Sequence, residues 1–412
     1  MNPDQKYLPD ELLDFAFPPV YNSEIKVLGV GGGGCNAVNH MFAKGVQDVQ
    51  FILCNTDAQA LNDSLVPTKI QLGEKLTGGR GAGTNPEVGR KAAIESLPDI
   101  LQLVEHATDM VFIAAGMGGG TGTGAAPVIA QALREKGILT VGIVTLPFSS
   151  EIGYRRKNAE KGLKELSDVV DALVVIDNDQ LQVNYADYKL SEAFKKADEV
   201  LSVAAQSIVE IIKIHGKMNV DFNDVKTVMT QSKLAMMGTG YASGKNRAQE
   251  VVKNAIQSPL INYHEMKNAK RILLNILSGE DEILMGEYDS ICKQVQEIAN
   301  HSSDQFIIGS ARDLSLNDQI KVTIIATGFE APLLKESASE MLPDDQADAA
   351  IAHIHVKDGS GKDQSPENQM DTDFEAEPEQ KPAKKKTSKK ESNKKLQQAK
   401  QFLINFFDDL EE

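Results

Sequence analysis

Met110-Val111-Phe112-Ile113-Ala114-Ala115-Gly116-Met117-Gly118-Gly119-Gly120-Thr121-Gly122-Thr123-Gly124-Ala125-Ala126-Pro127-Val128-Ile129-Ala130-Gln131-Ala132-Leu133 decides the fold class. Met110 to Ala115 is an unbroken apolar run, the pattern of a buried strand. Ala125 to Leu133 reads as a helix. Between them, Gly116 to Gly124 puts six glycines and two threonines into nine positions. A glycine-dense turn from strand to helix lets backbone N–H groups approach an anion, and the helix N-terminus adds partial positive charge. A flexible linker shares the composition but would not sit between two apolar elements. The lysine of a G-x-x-x-x-G-K-[ST] loop is absent, so backbone amides and a bound cation must meet the phosphate charge.

Working outward, Glu24 to Leu28 reads as a first strand, and Gly29-Val30-Gly31-Gly32-Gly33-Gly34-Cys35-Asn36 follows it, with a helix expected from Ala37. Gly29, Gly31 and Gly34 fit G-x-G-x-x-G. The next strand, Val49 to Cys54, ends in Asn55-Thr56-Asp57, where an acid would serve a ribose hydroxyl in a nicotinamide enzyme. That makes an oxidoreductase one reading. Against it stands a third glycine turn, Gly78-Gly79-Arg80-Gly81-Ala82-Gly83-Thr84, before Asn85-Pro86-Glu87. There Asn85 reads as a helix N-cap and Pro86 as the first helical residue. A dinucleotide needs one diphosphate loop, whereas several amide-rich turns on one crevice suit a triphosphate.

Gly118 to Gly124 resembles the GGGTG[TS]G loop of the tubulin superfamily. Gly31 to Asn36, Asn55 to Leu61, Gly81 to Pro86 and Asn219-Val220-Asp221-Phe222-Asn223-Asp224-Val225 resemble the FtsZ family of bacterial division GTPases. The resemblance runs from about Ile25 to Gly328. It implies that Gly32, Gly33, Gly34, Cys35 and Asn36 line a first phosphate loop. Gly119, Gly120, Thr121, Gly122 and Thr123 would line a second, and Gly81, Ala82 and Gly83 a third. Glu151 and Arg155 would face the ribose and base side, Phe194 would stack on guanine, and Asp198 would accept its N1–H and amino group. The implied ligands are GTP and GDP with Mg²⁺. The implied activity is GTP hydrolysis by head-to-tail filaments that form the division ring. The fold implied is a tubulin-like α/β GTPase domain joined by a long central helix to a smaller mixed α/β domain.

Hydrolysis needs an acceptor for the proton of the attacking water. Asp221 and Asp224 sit three apart with Asn219 just before them, close to one helical turn, so both acids can face the same way. Asp221 can equally cap the helix that starts there. Ser191 to Ile214 is a long amphipathic segment, with Phe194, Ala197, Leu201, Ala204, Ala205, Ile208, Ile211 and Ile212 at helical spacing;. At 1.5 Å per residue it spans roughly 35 Å. Asp221 and Asp224 therefore lie too far from a nucleotide held near Asp198 to act within one chain. They can act on the nucleotide of a neighbour in a translational stack, which does not close and so makes a filament. The family works in this way. A GTP-binding scaffold without hydrolysis is the remaining alternative, and the presence of both acids speaks against it.

At 412 residues and a net charge of −16, the chain has room for two domains, and its acidic balance gives no reason to expect nucleic-acid binding;. Three scattered cysteines (Cys35, Cys54, Cys292) indicate neither a zinc site nor a disulfide framework;. No apolar stretch reaches membrane-spanning length and no signal peptide opens the chain, which reads as cytoplasmic, with mid-cell placement implied by the resemblance. The expected divisions are an N-terminal extension (1–22), a GTP-binding domain (23–190), a central helix (191–218), a C-terminal domain (219–330), a disordered linker (331–395) and a docking peptide (396–412). The linker is acidic, then lysine-rich from Lys381, and would span about 40–50 Å. Leu396, Ala399, Leu403, Phe406, Phe407 and Leu410 make one helical face, suited to a partner's groove. The family uses such tails to reach membrane-anchoring adaptors; the lysine run is also suited to anionic lipid.

Overall fold

In a computed structural model that describes residues 25–104, 107–151, 153–179, 188–214, 216–258, 260–261, 266–299 and 303–329, the strands share one ten-stranded sheet. The first six are β1 (Ile25–Val30), β2 (Gln50–Asn55), β3 (Thr68–Gln71), β4 (Met110–Gly116), β5 (Leu139–Leu146) and β6 (Ala172–Asp177). The remainder are β7 (Lys233–Ala242), β8 (Arg271–Ser278), β9 (Gln305–Arg312) and β10 (Ile320–Thr327). Their spatial order is β3-β2-β1-β4-β5-β6-β7-β10-β8-β9. β1 to β6 are all parallel. β10 runs antiparallel between β7 and β8. The two regions join where β6 pairs with β7 through Ala172↔Lys233 and Leu173↔Leu234 alone.

Parallel strands are buried on both faces, which their near-continuous apolar runs reflect. On one face, α1 (Gly31–Ala43) and α7 (Leu190–Lys213) cover Ile25, Val27, Phe51, Leu53 and Phe112. On the other, α4 (Pro86–Val104), α5 (Thr121–Glu135) and α6 (Tyr154–Val169) cover Leu28, Val30, Ile52 and Ile113. α9 (Arg247–Ile256) and α10 (Met285–Ile298) close a third core over Leu274, Ile276, Val322 and Ile324. Of the apolar positions foreseen on the long helix, Ala197, Leu201, Ala204, Ala205, Ile208 and Ile211 are buried and share a core with Val225, Val228 and Met229 of α8 (Phe222–Met229), while Ile212 is partly buried against that core.

Three elements depart from the sequence reading. α1 begins at Gly31 rather than Ala37, and α5 at Thr121 rather than Ala125. The glycines are thus the helices' own first turns, where N–H groups lack intrahelical partners. β7 was not foreseen, because Gly238 and Gly240 interrupt its apolar pattern. A Cβ on Gly238 would lie 2.1 Å from the Ala255 carbonyl oxygen, and one on Gly240 2.2 Å from that of Val251. These glycines are what lets α9 lie directly on the strand.

The 1–22 extension, the 331–395 linker and the 396–412 peptide lie outside the described residues.

Candidate functional site

A cleft of about 710 Å³ opens beyond the C-terminal ends of the parallel strands, where ligands bind in sheets of this kind;. Three glycine-rich turns form its floor. Gly32, Gly33 and Asn36 come from the start of α1, Gly119, Gly120, Thr121 and Gly122 from the start of α5, and Gly81, Ala82 and Thr84 from the turn before α4. The turns are wedged together. A Cβ on Gly31 (φ 72°) would lie 2.6 Å from the Gly122 nitrogen. One on Gly120 would lie 2.8 Å from Ala82 Cβ, and one on Gly89 would lie 2.4 Å from the Gly120 carbonyl oxygen. Gly32 and Gly119, by contrast, face open space. Asn85 caps α4 as foreseen, its Oδ1 accepting from the Glu87 N–H at 3.0 Å.

Four of the foreseen loop residues do not line the cleft. Gly34 is a packing glycine, since a Cβ there would lie 2.1 Å from the Ala114 carbonyl oxygen. Cys35 points into the core with its Sγ 3.5 Å from the Gly29 carbonyl oxygen, and burial pushes its thiol up to about 12. Gly83 turns the loop with φ 58° and does not touch the cavity. The Thr123 hydroxyl accepts from the Gly118 N–H at 2.9 Å, so it folds the loop. Thr121 does face the cleft, and its Oγ1 is 2.7 Å from that of buried Thr56, at the end of β2.

The other end of the cleft is lined by Phe148, Ser150, Glu151 and Arg155 after β5, by Asn178 after β6, and by Ala197, Asp198 and Leu201 of α7. Glu151 pairs with Arg155 at 2.6 Å and accepts from the Phe148 N–H at 3.2 Å. Asp198 accepts no hydrogen bond from the described residues, and burial pushes its carboxyl up to about 6. The Phe194 side chain lies outside the described residues. Asn178 went unnoticed in the sequence. It is 7 % exposed, it lines the cleft, and its Oδ1 has no hydrogen-bond partner among the described residues. A buried orphan acceptor facing a cavity is costly unless a ligand donor meets it. Its only sequence signal is its place directly after a strand of the parallel set.

Asp57, the acid a nicotinamide reading would assign to ribose, lines the cleft and also holds a local helix start. Its Oδ1 caps α2 (Ala58–Asn62), accepting from Gln59 N–H at 3.0 Å and Ala60 N–H at 3.2 Å. Among the described residues no group of three His, Cys, Asp or Glu side chains could hold a metal.

Asp221, Asp224 and Asn219 are absent from the cleft lining. They sit past the far end of α7, whose 24 residues span about 36 Å;. Asp221 and Asp224 form a reciprocal capping box on α8. Asp221 Oδ1 accepts from the Asp224 N–H at 3.0 Å and Asp224 Oδ2 from the Asp221 N–H at 2.9 Å. Each carboxylate keeps one further oxygen. The capping role and an outward-facing role are therefore compatible. Asn219 Oδ1 accepts from the Gly216 N–H at 3.4 Å, which folds the loop.

Comparison with known proteins matches residues 24–186 to the Tubulin/FtsZ family, GTPase domain, and residues 233–330 to the FtsZ family, C-terminal domain. A cell division protein FtsZ from Azotobacter vinelandii is 49 % identical over 308 residues, covering 74 % of this chain and 77 % of its own. One from Pseudomonas aeruginosa is 49 % identical over 313 residues, covering 76 % and 78 %. Among solved structures, an empty FtsZ dimer of M. jannaschii superposes with a TM-score of 0.67 at 37 % identity, covering 78 % of this chain and 95 % of its own.

Proposed function

This chain belongs to the Tubulin/FtsZ family, and from that premise we propose that it hydrolyses GTP at a site completed by two molecules stacked head to tail. It is a tubulin-like GTPase that polymerises and serves cell division. The nicotinamide alternative has no support in these relatives.

One observation carries the two-molecule reading. The cleft gathers three glycine turns with Glu151, Arg155, Asn178 and Asp198, while the Asp221–Asp224 pair is absent from its lining and caps a helix beyond the far end of α7 on the same chain. The free amides at the starts of α1 and α5 and in the Gly81–Thr84 turn take the phosphates. Asp198 and Asn178 present acceptors to the N–H groups of guanine, which adenine does not match; Glu151 and Arg155 take the ribose side. Mg²⁺ bound to the phosphates would neutralise charge on the leaving group. From the next molecule, the free oxygens of Asp221 and Asp224, with Asn219 beside them, orient the attacking water and accept its proton. The capping box fixes both carboxylates on one turn before any partner arrives.

A chain of such contacts is open-ended, so every internal subunit gives one cleft and one acid pair. We divide the chain as the sequence suggests. The 23–190 domain holds nucleotide, the 191–218 helix links it to the 219–330 domain, and the 331–395 linker tethers the 396–412 peptide to an adaptor at the mid-cell membrane. The test is phosphate release from GTP against protein concentration. A two-molecule site is silent until filaments form and then rises steeply. A line through the origin would overturn it.

A further inference from the structure

We propose that Arg156 is a positioning residue for the nucleoside end of the cleft, clamping the Pro147–Ser149 segment to the end of β6 and thereby fixing Asn178. The inference rests on the guanine-nucleotide reading above. Arg156 stands in the first turn of α6 and does not line the cavity. Its Nη1 donates to the Pro147 carbonyl oxygen at 3.0 Å. The same guanidinium lies 3.8 Å from Asp179 Oδ2, 3.9 Å from Asp177 Oδ2 and 3.7 Å from Glu160 Oε1.

The two aspartates flank Asn178, and both are tied into the same knot. Asp179 Oδ1 accepts from the Ser149 N–H at 2.7 Å, and the Asp179 N–H donates to Asp177 Oδ1 at 3.0 Å. One guanidinium thus sits between the segment after β5 and the segment after β6. Both segments supply cleft wall: Pro147, Phe148, Ser150 and Glu151 on one side, Asn178 on the other.

The arrangement is electrostatically demanding. Burial raises the Asp177 carboxyl and the neighbouring Asp179 charge raises it further, while the Asp179 N–H and Arg156 hold it down. Without the guanidinium, two half-buried carboxylates two residues apart repel each other across Asn178. An exposed ion pair contributes little in water, but a planar fork that also bonds a main-chain carbonyl fixes geometry as well as charge.

The test measures GDP affinity by calorimetry on the full chain, with melting temperature recorded for each variant. Arg156→Gln should weaken GDP about tenfold, the loss of a charge-assisted hydrogen bond. Adding Asp177→Asn should recover most of that loss, because it removes the uncompensated charge; damaged packing alone would not be repaired by a second substitution. Should Arg156→Gln not fold, Arg156→Lys decides. It keeps the charge but cannot span the carbonyl and both carboxylates, and should weaken GDP about threefold. A wild-type chain that fails to bind GDP overturns the nucleotide reading itself. A wild-type chain that binds, with unchanged affinity in Arg156→Gln or Arg156→Lys, overturns only the positioning role. So does a weakened Arg156→Gln that Asp177→Asn leaves unrepaired.

Discussion

Replacing Asp224 by Asn separates the capping role of this side chain from its proposed role across the subunit contact. Asp224 Oδ2 accepts the Asp221 N–H at 2.9 Å, and a carboxamide oxygen in the same place can accept it too. The start of α8 should therefore survive with little loss of stability. GTP and GDP affinity should not change, since Asp224 contributes nothing to the cleft wall. Turnover should fall by about 10²-fold or more, the usual contribution of a positioned base. A mixing assay makes the geometry visible. Wild type below its assembly threshold has the acids but no neighbour, while Asp224→Asn filaments have neighbours but no base. Each sample alone should release almost no phosphate. Combined, wild-type subunits enter the mutant filaments and place their Asp224 over mutant clefts, so phosphate release appears. A mixture as silent as its components, or an Asp224→Asn enzyme with wild-type turnover, would refute the reasoning.

Three other outcomes follow from the same geometry. Asp221→Ala removes the acceptor for the Asp224 N–H and should lower stability by about 1 kcal/mol in urea titration, besides slowing turnover; unchanged stability would contradict the capping box;. Burial lifts the Asp198 carboxyl to about 6 in the free protein, while guanine donors favour its ionised form. GDP affinity should accordingly be full above that pH and fall as the pH drops through it, and Asp198→Asn should bind weakly with a flat profile. The sign for the ligand-free fold is opposite. A carboxyl raised on folding binds extra protons in the native state, so its contribution to stability grows as the pH falls toward 5. Cys35, with its thiol pushed up to about 12 and its side chain in the core, should resist maleimide at pH 8 until the protein unfolds; rapid labelling of the native chain would place it at the surface instead.

The phosphate end of the cleft was legible in the sequence because glycine composition reports backbone geometry directly. Gly31, Gly81 and Gly118 all adopt positive φ, and the turns they make account for the clustering;. Where the glycine runs misled, they did so by about one turn at α5 and nearly two at α1, because a glycine-rich first turn has no apolar periodicity to announce it;. The nucleoside end was harder to read. Asp198 carried no local signal and came only from resemblance, and Asn178 has no motif around it. The Arg156 knot joins residues from the ends of β5 and β6 and from α6, a proximity created by tertiary packing. The acid pair was found by spacing, but spacing alone left capping and chemistry as rivals. The structure shows the cap, which uses one oxygen of each carboxylate and leaves the other over, so capping does not exclude the proposed chemistry.

Main chain wedged against main chain has a consequence for how such a protein can diversify. The floor of the cleft is largely glycine main chain and offers few side chains to alter, chiefly Asn36, Thr84 and Thr121. A Cβ added at Gly31, Gly120 or Gly124 collides with a neighbouring backbone atom or a fixed methyl group at less than 3.0 Å. Substitution there breaks the cradle and does not retune it. Graded adjustment of how tightly the fuel is held, or how fast it is spent, falls to those few side chains, to the rim residues and to the face offered by the following subunit. Variation in filament lifetime is then to be sought at those places, with the wedged glycines left untouched.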